Sequence, residues 1–201
     1  MSHGIASRRR VTLLAAVTAA AALTLSACGG DGNKTGGGGD TKYVTGSSGI
    51  STVPEAERKD APKLAGQSLD GKDLDLAAYK GKVVVLNVWG SWCPPCRNEA
   101  KHFVKVAKET EAKGVQFVGI NTRDAQKSSA VAFEEDYGVP YPSFYDPNGK
   151  LILRFHKGTL NLKAIPSTLV IDRNGKIAAR TLAAVDDEKL HEMIDPLIAE
   201  K

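Results

Sequence analysis

The sequence predicts an α/β domain built on a mixed central sheet flanked by helices. Three observations carry that expectation. Lys82-Val83-Val84-Val85-Leu86-Asn87-Val88 is a nearly unbroken β-branched run and runs straight into a helix start at Pro94-Pro95. Strand-like and helix-like patterns then alternate along the chain, which calls for parallel strands joined by crossovers. Late in the chain Asn174-Gly175 links two apolar runs as a tight hairpin, which adds antiparallel strands to the same sheet.

Each element has its own local reason. Pro62 to Gly66 and Lys72 to Leu76, joined through Asp70-Gly71, read as an N-terminal β-hairpin. The 82–88 run is apolar at nearly every position, so it is a strand buried on both faces. After it, Pro95 suits a first helical turn, where its missing N–H would be unpaired anyway, and Ala100, Phe103, Val104 and Ala107 follow at helical spacing. Lys113-Gly114 stops that helix and opens a second buried strand, Val115 to Asn121. Ala125 to Tyr137 predicts a helix ended by Gly138, with a strand in Tyr141 to Asp146 and a turn at Asn148-Gly149. Thr168 to Asp172 and Ile177 to Arg180 are the hairpin strands, and Glu188 to Ala199 is the closing helix, with Pro196 the place for a kink or break. Alternation of this kind places helices on both faces of the sheet. Tyr137, Tyr141, Phe144, Tyr145 and Phe155 are expected in the core, and no flavin or nicotinamide signature is visible, so no cofactor is expected.

The front of the chain addresses location. His3 to Arg10 is a short basic region, and the apolar stretch Val11 to Leu25 is shorter than the roughly 20 residues that span a bilayer. Leu25-Ser26-Ala27-Cys28 is a lipobox, so residues 1–27 read as a signal peptide and Cys28 as the lipidated first residue of the mature protein. Ser7-Arg8-Arg9-Arg10 leaves the export route open. Residues 28–60 read as lipid anchor and Gly-rich tether, because Gly29 to Asp40 holds no apolar side chain to offset the entropy of ordering. Residues 61–201 are then one domain's worth of chain. Loss of residues 1–27, with three arginines and no acid, takes the net charge from +4 to about +1. No basic cluster remains for phosphates, so nucleic acid is not a partner, and the glycine repeats lack the Gly-Lys-Ser/Thr of a phosphate loop.

The chemistry lies in Trp89-Gly90-Ser91-Trp92-Cys93-Pro94-Pro95-Cys96, where two thiols meet at a helix N-terminus. Unpaired N–H groups and the helix dipole there stabilise an anion, lower a thiol pKa and favour the reactive thiolate. A zinc site needs about four ligands, whereas the chain has three cysteines and scattered histidines, so no metal site is expected. A purely structural disulfide closing so short a loop would gain little stability. Cycling between dithiol and disulfide remains, and lipidation of Cys28 accounts for the odd cysteine.

With these residues in view, the stretch from about Ala61 to Lys201 resembles the membrane-anchored, thioredoxin-like thiol:disulfide oxidoreductases of the TlpA/ResA group. Trp92-Cys93-Pro94-Pro95-Cys96 matches the group's Trp-Cys-x-x-Cys motif, and Ala164-Ile165-Pro166-Ser167-Thr168 matches its cis-proline loop. The resemblance implies a thioredoxin-like fold with a central βα insertion around 125–149, a cis Pro166 facing a Cys93–Cys96 redox disulfide, and Trp92, Pro94, Pro95, Ile165 and Pro166 against the substrate. It also implies Asn87 where thioredoxin has a buried aspartate, with Glu99 one turn past Cys96 as a proton relay. A first-turn glutamate that merely complements the helix dipole is the other reading of Glu99, and Arg97 reads as a solvated cation, the alternative being that it lends positive potential to a thiolate. Implied partners are protein disulfides, a membrane through the lipid anchor, and a membrane electron donor, with apocytochrome c among the group's substrates. Two alternatives differ in kind. A peroxiredoxin would carry a lone peroxidatic cysteine preceded by threonine, and a copper chaperone would space its cysteines by three and add a distant histidine, for which only His156 or His191 is available.

Overall fold

The structure is a computed structural model and describes residues 42–200. The basic region, the lipobox with Cys28 and most of the Gly-rich stretch lie outside the described residues. Nine strands and three α-helices are assigned within them: β1 (Val44–Thr45), β2 (Ser51–Thr52), β3 (Ala65–Gln67), β4 (Asp73–Asp75), β5 (Val83–Trp89), α1 (Pro94–Thr110), β6 (Val115–Thr122), α2 (Lys127–Tyr137), β7 (Ser143–Asp146), β8 (Ser167–Ile171), β9 (Ile177–Thr181) and α3 (Asp187–Ala199). Seven strands form one sheet in the order β1-β2-β9-β8-β5-β6-β7, and β3 with β4 forms a separate hairpin. β5, β6 and β7 are parallel, whereas β8 and β9 run antiparallel, so the sheet is mixed.

β5 sits at the centre and is buried at every position, as its uninterrupted apolar run requires. Its two faces feed different cores. Val83 and Val85 pack with Phe103, Val106, Leu190, Met193 and Ile194 of α1 and α3. Val84, Leu86 and Val88 pack with Leu64, Leu74, Phe144 and Ile152 on the other side. α2 joins the first face, where Phe133 stacks on Trp89 at 4.4 Å between ring centroids. The expectation of helices on both faces is therefore corrected. The second face carries the β3–β4 hairpin and single 3-10 turns at Leu76–Tyr79 and Ile152–Arg154, because those segments are too short and turn-rich to nucleate α-helix.

Boundaries follow local chemistry. α1 ends through a 3-10 turn at Gly114 (φ 80°) and α2 at Gly138 (φ 62°), both in the left-handed conformation that glycine adopts freely. Val106, not Val104, completes the fully buried stripe of α1. Pro196 does not end α3: it stands within the last turn, so its missing N–H removes only one intrahelical bond.

A second correction concerns the tether. From residue 42 on, the chain belongs to the fold. β2 pairs with β9 through Ser51–Arg180 and Thr52–Ala179, and Tyr43, Ile50 and Val53 are buried. Arg58 fastens this arm: its guanidinium donates to Asp172 at 3.0 Å and bidentately to Glu200 at 2.7 Å, linking the arm to β8 and to the end of α3. The compositional change at Gly29 to Asp40 is real, but its boundary with the folded domain lies well before residue 61.

Candidate redox site at the end of the central strand

Cys93 and Cys96 form a disulfide, with Cα atoms 5.3 Å apart, where β5 gives way to α1. Cys93 is the N-cap of α1, with Pro94 and Pro95 in the first turn, and its sulfur accepts the Cys96 backbone N–H at 3.3 Å. A sulfur that receives helix N–H groups is the sulfur that bears negative charge most easily once the bond is reduced. Both cysteines are buried, while Trp92, Pro94 and Pro95 around them are exposed. The Ile165–Pro166 bond is cis and precedes Ser167, the residue that pairs with Val88 of β5. Leu182, one of three exposed large apolar side chains among the described residues, follows Thr181, which pairs with Thr168. Trp92 gives the disulfide an exposed apolar neighbour, and Ile165 packs against the cluster that holds both cysteines.

Beneath Cys96 the site is built from buried polar groups. Asn87 points from β5 toward α1 and donates its amide to Glu99 at 3.0 Å, and the other Glu99 oxygen accepts the Val185 N–H at 3.1 Å. Glu99 is 2% exposed, so it is not the solvated first-turn glutamate of the dipole reading. Burial pushes its carboxyl up to about 8, against the opposing effect of the Asn87 and Val185 hydrogen bonds. Close by, Asn87, Trp89, Cys96, Ala100, Phe133, Val139 and Tyr141 enclose a cavity of about 10 Å3, about the room one water occupies. A carboxyl that holds a proton near neutral pH and a water-sized cavity against Cys96 are the parts a proton transfer to a thiolate requires.

The segment before Cys93 is held from β6. Asp124, 4% exposed, accepts the Ser91 N–H at 2.8 Å, the Ser91 hydroxyl at 2.5 Å and the Asn121 amide at 2.6 Å. The Trp92 indole N–H donates to the Thr122 carbonyl at 3.3 Å, and the Arg123 guanidinium lies 4.6 Å from the Trp92 ring. Arg97 is exposed and donates its Nε–H to the Ser91 carbonyl at 2.8 Å. Arg123 and Asp124 are the site residues that sequence reasoning missed. The available signal was positional, since they close a strand parallel and adjacent to β5, on the side where side chains converge at strand ends.

Comparison with known proteins agrees with this geometry. The model of the AhpC/TSA family matches residues 58–180. The thiol-disulfide oxidoreductase ResA of Bacillus thuringiensis is 30% identical over 132 residues, covering 66% of this chain and 73% of that protein. The thiol:disulfide interchange protein DsbE of Vibrio cholerae is 35% identical over 147 residues, covering 73% and 71%. The crystal structure of a secreted thiol-disulfide isomerase from Corynebacterium glutamicum superimposes with a TM-score of 0.71 at 33% identity, covering 76% of this chain and 93% of that one.

Proposed function

We propose, from the premise that this chain belongs to the AhpC/TSA family and is a thiol-disulfide oxidoreductase of the ResA and DsbE kind, that it works as a lipid-anchored reductase of protein disulfides outside the cytoplasm. The observation that carries the reaction is the Cys93–Cys96 pair at the N-terminus of α1, with the Cys96 N–H on the Cys93 sulfur. In the reduced protein the Cys93 thiolate attacks a substrate disulfide, forming a mixed disulfide and releasing one substrate thiolate. Cys96 loses its proton and its thiolate attacks the Cys93 sulfur. The second substrate thiolate leaves, and the protein pair ends two electrons more oxidised. Glu99 exchanges the proton of Cys96 through the adjoining cavity. Trp92, Pro94, Pro95, Ile165 and Pro166 form the surface that meets substrate.

Location is supported by Leu25-Ser26-Ala27-Cys28 and by the secreted character of the Corynebacterium relative. Among the described residues no helix is long and apolar enough to cross a membrane. A membrane donor recharges the pair, and apocytochrome c disulfides, reduced to thiols, are the substrate class. Equilibrating Cys93–Cys96 against glutathione buffers tests the direction. A reductant lies near the thioredoxin value of about −270 mV, and a potential above roughly −160 mV, toward the DsbA value of about −120 mV, refutes the reductase assignment.

A further inference from the structure

We infer that Arg123, stacked on Trp92 beside the disulfide, selects substrates that carry a carboxylate close to the disulfide to be reduced. The inference deepens the proposed function and rests on it, because it names a chemical class of substrate for the same site. Arg123 is the only non-glycine residue with positive φ among the described residues, at 59°. The left-handed conformation is disfavoured for a side chain with a Cβ, and glycine or asparagine would occupy it more easily. An arginine kept in such a position, at the edge of a reactive site, points to a task for its side chain.

The surroundings say what that task is. Arg123 is exposed, and among the described residues its guanidinium pairs with no carboxylate; it lies over the face of Trp92. Asp124, the nearest acid in sequence, spends its oxygens on Ser91 and Asn121 and stays buried. Lys127 adds charge of the same sign from the first turn of α2, with its ammonium 6.0 Å from the Tyr145 ring, and the Tyr145 hydroxyl donates to the Asp124 carbonyl. By contrast, the cleft between α1 and α2 carries Arg97 and Asp136 together and so offers both signs. Stacking leaves the edge of a guanidinium free for two parallel hydrogen bonds to a carboxylate, and the ring beneath fixes its plane. Trp92 directly precedes Cys93, so a carboxylate held on that edge lies beside the chain that carries the attacked sulfur.

The test uses the reduced full-length protein and three fluorogenic disulfide peptides, flanked by glutamates, glutamines or lysines. The expected kcat/KM order is glutamate above glutamine above lysine, with about a fivefold glutamate-to-glutamine ratio at low salt that shrinks as ionic strength rises. Arg123→Gln brings that ratio to about one, Arg123→Glu inverts it, and Arg123→Lys restores a preference for glutamate. Arg123→Gly loses the preference while its unfolding midpoint does not fall, because glycine accepts the left-handed backbone. A ratio near one in the unaltered protein, or a ratio unchanged in Arg123→Gln, overturns the inference. An equal loss on all three peptides with a shifted pH profile of Cys93 alkylation also overturns it, since Arg123 would then act on the thiolate. Failure to reduce any of the peptides sinks the reductase reading itself.

Discussion

Replacing Glu99 with glutamine should change the pH dependence of stability more than stability at any one pH. The carboxyl is neutral in both folded and unfolded chains below its ordinary pKa of 4.5, so burial costs nothing there. As pH rises past 4.5 the unfolded chain releases the proton and the folded chain keeps it until about 8. Over that window stability falls by about 1.4 kcal/mol per pH unit, a loss of about 3 kcal/mol by neutrality that levels off at about 5 kcal/mol above pH 8. Glutamine carries no such slope. Its NH2 group is a donor and accepts no hydrogen bond, so of the Asn87 amide and the Val185 N–H, which now go to separate oxygens, one is left unpaired at a cost of about 1–3 kcal/mol. Glu99→Gln should therefore be the less stable protein at pH 5, and gain about 4 kcal/mol on the parent by pH 8. Glu134, which burial also raises, to about 7, titrates alike in both proteins and drops out of the difference. Guanidinium unfolding of the oxidised proteins, followed by tryptophan fluorescence, measures it. Parallel stability curves across this range would refute the argument, since they would mean that Glu99 ionises in the fold as readily as in the unfolded chain.

The remaining predictions address chemistry, anchoring and packing. If Glu99 exchanges the Cys96 proton, Glu99→Gln also shifts the pH profile of disulfide reduction, read as macroscopic values of the coupled pair; an unmoved profile removes Glu99 from the mechanism. In the reduced protein Cys93 alkylates faster than Cys96, and Cys96→Ser accumulates mixed disulfides with substrate; the opposite order reverses the two roles. Cys28→Ala abolishes lipid labelling and releases the protein from membranes with its thiol chemistry intact, and persistent attachment counts against the lipobox. Arg58→Ala strands the buried Asp172 and the Glu200 carboxylate and lowers stability by about 3 kcal/mol, measured by denaturant unfolding; a loss below about 1 kcal/mol would mean that the arm is held by other contacts.

The β5–α1 unit and the hairpin at Asn174-Gly175 were legible because their signals are local: a β-branched run, prolines at a helix start, and a glycine at φ 81° between paired strands. The 42–53 arm was not. Tyr43-Val44, Ile50 and Val53 are set apart among glycine, serine and threonine with no sustained period, and only long-range pairing of β2 with β9 makes core residues of Tyr43, Ile50 and Val53. Glu99 was half legible. Its place on the stripe of Cys96, Ala100, Phe103 and Ala107 sets it inward, but its partners Asn87 and Val185 come from β5 and from the approach to α3, which helical spacing cannot supply. Arg123 and Asp124 leave no periodic trace, since their roles exist only where β6 ends beside β5.

A family match fixes the fold more firmly than the chemistry, because one fold hosts several reactions and side chains choose among them. Peroxide reduction by a lone cysteine asks for a thiol without a partner in reach. Here Cys96 lies one turn from Cys93 and is already bonded to it, so the electrons lost by Cys93 are lost by the pair. Copper transfer asks for a third ligand beside the two thiolates. His102 instead bonds Asp187 at 2.5 Å, His191 sits between Glu109 and Asp195 at 3.2 Å each, and His156 lines a cavity with Tyr43 and Thr159. What adjoins Cys96 is a water-sized cavity lined by Asn87, whose amide holds the buried Glu99 carboxyl that burial raises to about 8; on the proposed function this set exchanges protons in step with thiol–disulfide exchange.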